Sequence, residues 1–209
     1  MGDQDRLRWD ARHGAVGAAG PSPPPALPEV FCAHAARFPS AGEALELACG
    51  TGASAVWMAE RGMEVCAMDI SPVALDRARQ LADDHGVGHR CRFVVADLDR
   101  GLPTGPPAAV ILCHMFRDPR LYAPMAARLA PGGLLAVAVL SEVGDRPGPF
   151  RAARGELRRA FGSLHFLAGD EGEGRAWLLA EKPLLHPPPL ARPERDFRPE
   201  PFPGSPDPK

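Results

Sequence analysis

The chain has 209 residues, 45% of them hydrophobic, and a net charge of −2 at neutral pH. That suits one well-buried domain, is short for two, and gives no electrostatic reason to expect nucleic acid or an anionic membrane as a partner. No run of about 18 apolar residues occurs and Met1 to Asp10 is polar, so no spanning or export segment is expected and a cytoplasmic enzyme is the default.

Five cysteines, Cys32, Cys49, Cys66, Cys91 and Cys113, are widely spaced with no Cys-x-x-Cys pair. Buried reduced thiols fit that pattern, and no metal site is expected. Basic residues are almost all arginine, since only Lys182 and Lys209 are lysine; no function attaches to that bias.

Residues 3–13 predict a short helix with little apolar surface besides Leu7 and Trp9, followed by a loose linker from Gly14 to Pro28, rich in Gly, Ala and Pro. Glu29 to Phe38 predicts a second helix ended by Pro39-Ser40. Ala44 to Leu47 is an apolar strand carrying one carboxylate, Glu46, and it breaks at Ala48-Cys49-Gly50-Thr51-Gly52 into a helix from Ala53 to about Arg61, capped by Gly62. Met63 to Ile70 is a strand ending on Asp69. Ser71-Pro72 then opens a helix with Leu75, Ala78, Leu81 and Ala82 on one face, closed by Gly86.

Cys91 to Ala96 is a third strand delivering Asp97, and Ala108 to Cys113 a fourth. Asp118-Pro119 starts a helix, Pro131-Gly132-Gly133 turns the chain, and Leu134 to Leu140 is apolar throughout, as suits a strand covered on both faces. Phe150 to Phe161 predicts a last helix. Ser163 to Ala168 and Arg175 to Glu181 predict a terminal antiparallel hairpin around Gly169 to Gly174. Ten of the 27 residues from Pro183 onward are proline, so a disordered or extended tail is expected.

Alternating strands and helices imply an α/β fold: a doubly wound, mostly parallel, Rossmann-like sheet whose ligand edge lies beyond the C-terminal strand ends. Glu46, Asp69, Asp97 and the loop after Cys113 all fall at that edge. Two ligands compete for the glycine turn. Read as Gly50-x-Gly52-x-x-Ala55 with Asp69 19 residues on, it fits a dinucleotide fingerprint and hence an NAD-binding oxidoreductase. Glu46 opposes that reading, because a carboxylate repels a pyrophosphate but suits a ligand with an ammonium or sulfonium group, such as S-adenosylmethionine. A binding module without turnover, acting as a partner subunit, is a third possibility.

From Ala44 to Glu181 the chain resembles the class I S-adenosylmethionine-dependent methyltransferases. The resemblance is carried by Leu45-Glu46-Leu47-Ala48-Cys49-Gly50-Thr51-Gly52, Ala67-Met68-Asp69-Ile70-Ser71, Val95-Ala96-Asp97-Leu98 and Leu129-Ala130-Pro131-Gly132-Gly133-Leu134. Ala48 stands where that family has its first turn glycine. The resemblance implies S-adenosylmethionine as cofactor. Glu46 would balance its methionine end, with the Ala48, Cys49, Gly50 and Gly52 backbone along it. Asp69, beside Ile70, would take the ribose hydroxyls; Asp97 the adenine amino group; Leu98 the ring through its N–H; and Cys113 would close the edge. Trp9-Asp10-Ala11-Arg12-His13 and Gly155-Glu156-Leu157-Arg158-Arg159 look like elements of the thiopurine and tellurite-resistance branch, with His13 where an aromatic ring is usual.

Methyl transfer to a small-molecule acceptor is therefore the expected activity, in residues 29–182, with 1–28 as a candidate lid and 183–209 as the tail. Trp9, Phe116 and Arg117 are candidate pocket residues, and His13, His114 and Glu142 candidate bases. Nucleic acid is disfavoured as substrate, since no basic stripe with stacking aromatics lies near the edge. A monomer or homodimer is expected.

Overall fold

A computed structural model of the chain describes residues 2–17 and 24–184. Its strands are β1 (Glu43–Leu47), β2 (Glu64–Asp69), β3 (Cys91–Val95), β4 (Ala108–His114), β5 (Leu129–Leu140), β6 (His165–Gly172) and β7 (Arg175–Glu181). They form one sheet in the order β3-β2-β1-β4-β5-β7-β6, parallel as far as β5 and antiparallel through β7 and β6. The helices are α1 (Gly2–Gly17), α2 (Glu29–Cys32), α3 (Ala53–Glu60), α4 (Pro72–Asp84), α5 (Tyr122–Arg128) and α6 (Glu156–Ala160). No helix among the described residues is long and apolar enough to cross a membrane.

Strand periodicity sorts side chains to two faces. Leu45, Leu47, Ile111, Cys113, Leu135 and Val137 join the layer that includes Tyr122, Met125, Leu157 and Phe161. Ala44, Val65, Ala67, Val110, Leu112, Leu134 and Ala136 join the opposite layer with Phe31, Phe38, Ala55 and Met58. Alternation along β1 puts Glu46 on that second face, its Cα paired with Ala67 and Leu112, both fully buried. A carboxyl is thus set among apolar neighbours.

Four expected elements change. The helix over Glu29 to Phe38 is two short pieces, α2 and a 3-10 turn at Ala35–Arg37. The break lets Phe31 meet Trp177 edge-on at 5.9 Å and Phe38 meet Trp57 at 5.7 Å, so aromatic packing overrides the helical period. The helix over Phe150 to Phe161 shrinks to α6, because the chain before it pairs Ala152 with Ser141 and turns at Gly155 with φ 68°. Pro131-Gly132-Gly133 is drawn into β5, since Gly132 N–H donates to Lys182 O and Lys182 N–H to Gly133 O. Gly169 to Gly172 belong to β6, and the hairpin turn is only Glu173-Gly174 at φ 50° and 76°, the two left-handed residues a tight hairpin needs.

At the N-terminus, α1 runs four residues past the expected helix, to Gly17. Part of the expected linker, residues 18–23, and the expected tail from 185 onward lie outside the described residues. Cys49, Cys66 and Cys113 are buried free thiols, Cys91 is half-buried and Cys32 is exposed.

Ala48 takes φ 53° at the first step of the glycine turn. A left-handed alanine costs about 1–2 kcal/mol, more than the roughly 0.5–1 kcal/mol of chain entropy that glycine adds. Ala48→Gly is expected to raise stability by up to about 1 kcal/mol, seen as a higher urea midpoint at unchanged slope. A lower midpoint would show that the methyl group packs.

Candidate cofactor and acceptor site

Three acids stand at or just past the ends of three adjacent parallel strands. Glu46 on β1 is 4% exposed, and its Oε2 has no hydrogen-bond partner among the described residues. Burial pushes its pKa up to about 8, the Ala55 N–H opposes that shift, and the charge of Asp69 adds to it. Burial thus disfavours the charged form of Glu46.

Asp69, at the tip of β2, accepts from Gly50 N–H at 2.8 Å and from Ser71 N–H at 2.9 Å. The first bond fixes the glycine turn and the second the start of α4, so one carboxylate positions both. Gly50 and Gly52 have different jobs. A Cβ on Gly52 would stand 2.6 Å from that of Ala78, so α3 and α4 can approach only with glycine there; one on Gly50 would meet only the His13 ring, at 3.8 Å. Gly50 faces the ligand edge. Cys49 donates its N–H to Met68 O at 2.9 Å, and burial followed by Glu46 and Asp69 pushes its thiol well above the usual range.

Asp97 follows β3 and accepts from Asp99 N–H at 3.1 Å, with Leu98 buried beneath it and Ile70 half-buried nearby in sequence to Asp69. Helix α1 lies across this edge. Its first residue, Gly2, abuts the Asp97 carboxylate; Ser71 donates its hydroxyl to Asp10 at 2.5 Å; and His13 faces Gly50. Trp9 stacks on His13 at 5.9 Å with Arg8 and Arg12 over its ring, which places both aromatic residues beside the glycine turn. Burial, partly offset by Asp69, lowers the His13 pKa.

Residues 44–133 match the methyltransferase domain family. The sheet order and its antiparallel end are those of the class I S-adenosylmethionine-dependent methyltransferase fold. The solved structure of TehB from Haemophilus influenzae superposes with a TM-score of 0.59 at 18% identity, covering 67% of this chain and 57% of that one. A structure described under the conversion of a disulfide bond into a thioacetal group during echinomycin biosynthesis gives 0.59 at 23% identity, covering 87% and 94%. These likenesses establish the fold. Among curated proteins, the tRNA 5-carboxymethoxyuridine methyltransferase of Escherichia coli is 35% identical over 96 residues, 42% of this chain and 36% of that one. The chain spans about a third or less of the length of the curated relatives it matches.

Farther along the same edge, β4 ends at His114, exposed there, and Met115 turns the chain at φ 59°. Desolvation of the His114 ring, then the positive charge of Arg175, lowers its pKa, so the imidazole is neutral at pH 7 and able to accept a proton. Cys113 is buried, its thiol at 3.4 Å from Phe116 O and pushed up to about 12 by burial and then Glu46. Phe116 packs half-buried against the core.

Arg117 is already engaged: Nε and Nη2 donate to the two Glu156 oxygens at 2.8 Å each, and Nη1 reaches Pro149 O at 3.2 Å. Tyr122 OH and Ala153 N–H also donate to Glu156, at 2.8 and 3.0 Å. Burial raises the Glu156 pKa, but Arg117, Tyr122 and Ala153 more than offset it and hold it at about 2. This knot ties the β4–α5 loop to the β5–α6 loop, and Arg117 serves it rather than standing open to an anionic acceptor. Glu142 accepts Arg154 N–H at 3.3 Å and is half-exposed. Sequence reasoning missed the knot and Arg175. Glu156 lies 39 residues from Arg117, and its only signal was the segment Gly155 to Arg159.

A carboxylate depressed on folding stabilises fully above its unfolded pKa of 4.5 and loses that stabilisation as the pH falls through about 2. Glu156→Gln is expected to cost about 2–3 kcal/mol at pH 7. The gap to the parent chain should begin to close below pH 4.5, as urea melts across pH 7 to 4 would show.

Proposed function

We propose that the protein transfers a methyl group from S-adenosylmethionine to a small-molecule acceptor by in-line displacement. The observation that carries this reading is the orphaned, buried Glu46 carboxyl beneath a glycine turn, with Asp69 and Asp97 at the next two strand ends. An apolar pocket wall holding one unsatisfied carboxyl oxygen fits a ligand that brings a positive charge. Asp69 and Asp97 offer lone pairs to ribose hydroxyls and an adenine amino group.

When bound, the cofactor supplies an electrophilic methyl group on a sulfonium. The chain's task is to hold an acceptor in line and keep water out. His114, neutral at pH 7, is placed to take a proton from a hydroxyl or amine acceptor. Glu156 stays ionised and holds the Arg117 loop beside it. His13 and Trp9, on α1, act on the cofactor side, where α1 serves as a lid spanning Asp97, Ser71 and Gly50. A small acceptor suits a net charge of −2, which gives no electrostatic reason to expect a nucleic acid.

Calorimetric titration with S-adenosylhomocysteine and, separately, NADH tests the cofactor. Binding of the former alone is expected; binding of NADH alone would replace the reading with an NAD-dependent one. Asp69→Ala should weaken S-adenosylhomocysteine by about 1–3 kcal/mol, the usual cost of stranded hydrogen-bond partners. Undiminished affinity would remove Asp69 from the site.

A further inference from the structure

Among the described residues, Glu46 is the buried acid left with an unpartnered carboxyl oxygen and no facing cation. Its flanking Cα partners are Ala67 on β2 and Leu112 on β4, both fully buried, and α3 contributes only the Ala55 N–H. The titratable groups facing it are Cys49 in the turn, Asp69 on β2, Cys91 on β3 and Cys113 on β4, with His13 of α1 beyond Asp69. The thiols are neutral and Asp69 is negative. No ion pair to Glu46 exists among the described residues. Among these titratable groups none favours a carboxylate there; the Ala55 N–H does, but burial outweighs it, and an incoming cation would reverse the balance.

We propose that Glu46 is protonated in the free protein and releases its proton when the cationic end of the cofactor enters, so that cofactor uptake and proton release are coupled one for one. The Glu46 O–H bond breaks, the proton leaves to solvent, and the resulting carboxylate pairs with the positive group. The inference rests on the proposed use of an S-adenosyl cofactor. Two groups can supply the charge: the amino-acid ammonium, shared by S-adenosylmethionine and S-adenosylhomocysteine, and the sulfonium, which only the former carries.

Linkage fixes the sign. Below the free-state value of about 8 the site must shed a proton to bind, so affinity rises with pH until the ligand's own ammonium begins to lose its proton. The apparent Kd should fall about tenfold from pH 6 to pH 7 if the bound carboxyl is ionised throughout.

The experiment is titration calorimetry of the full chain with each ligand at pH 7 and pH 9, in buffers of different ionisation enthalpy. The parent chain and Glu46→Gln are compared in the same buffers, so protons from other groups cancel and the difference isolates Glu46. About one proton should be released at pH 7; at pH 9 almost none should be released through the sulfonium, and an ammonium partner should show net uptake. Release with both ligands assigns the ammonium as the partner, and release with S-adenosylmethionine alone assigns the sulfonium. Glu46→Gln should abolish the release and flatten Kd against pH. Binding without proton release in the parent chain would overturn the coupling and leave the cofactor reading intact. Release persisting in Glu46→Gln would overturn the assignment to Glu46. If neither ligand bound, the coupling and the cofactor reading would both be overturned.

Discussion

The Asp69 carboxylate, shared between Gly50 N–H at 2.8 Å and Ser71 N–H at 2.9 Å, is the interaction on which the ligand edge depends. It joins the turn after β1 to the first residues of α4. Through the Ser71 hydroxyl, which donates to Asp10, it also reaches α1. A single acid thus sets the path of three segments that lie far apart in the chain. It is 7% exposed, so its two backbone bonds are little contested by water.

The two sides of the site are built on opposite electrostatic terms. Beside the glycine turn Glu46 is left with an unpartnered oxygen and desolvation dominates, the setting that the proposed cofactor's positive charge would complete. On the acceptor side Glu156 is over-provided, with four hydrogen bonds from Arg117, Tyr122 and Ala153, and it stays ionised in all ordinary conditions. Both are glutamates in largely buried surroundings. What separates them is the number of donors the fold brings within reach.

Placing α1 over the edge changes how the candidate residues divide. His13 and His114 look alike in sequence as possible bases, yet the first sits against Gly50 and the second at the end of β4 beside Arg175. Arg117 reads in sequence as a loop arginine available to an anion. In the folded chain its guanidinium is committed to Glu156, since a bidentate carboxylate satisfies the planar fork better than solvent does.

Local rules were enough for the strand, turn and helix order, the parallel sheet with its antiparallel end, and the presence of Glu46, Asp69 and Asp97 at one edge. Those features follow from periodicity, glycine placement and strand polarity, all of which act over a few residues. The split of the helix after Glu29, the shortening of the one before Phe161 and the extension of β5 through Pro131 were set instead by aromatic packing and by sheet partners distant in sequence. The same holds for the orphaned oxygen of Glu46, the Glu156 knot and the seat of α1. Each depends on which groups meet across the fold, and hydrogen bonding and desolvation are properties of those meetings rather than of the residues alone.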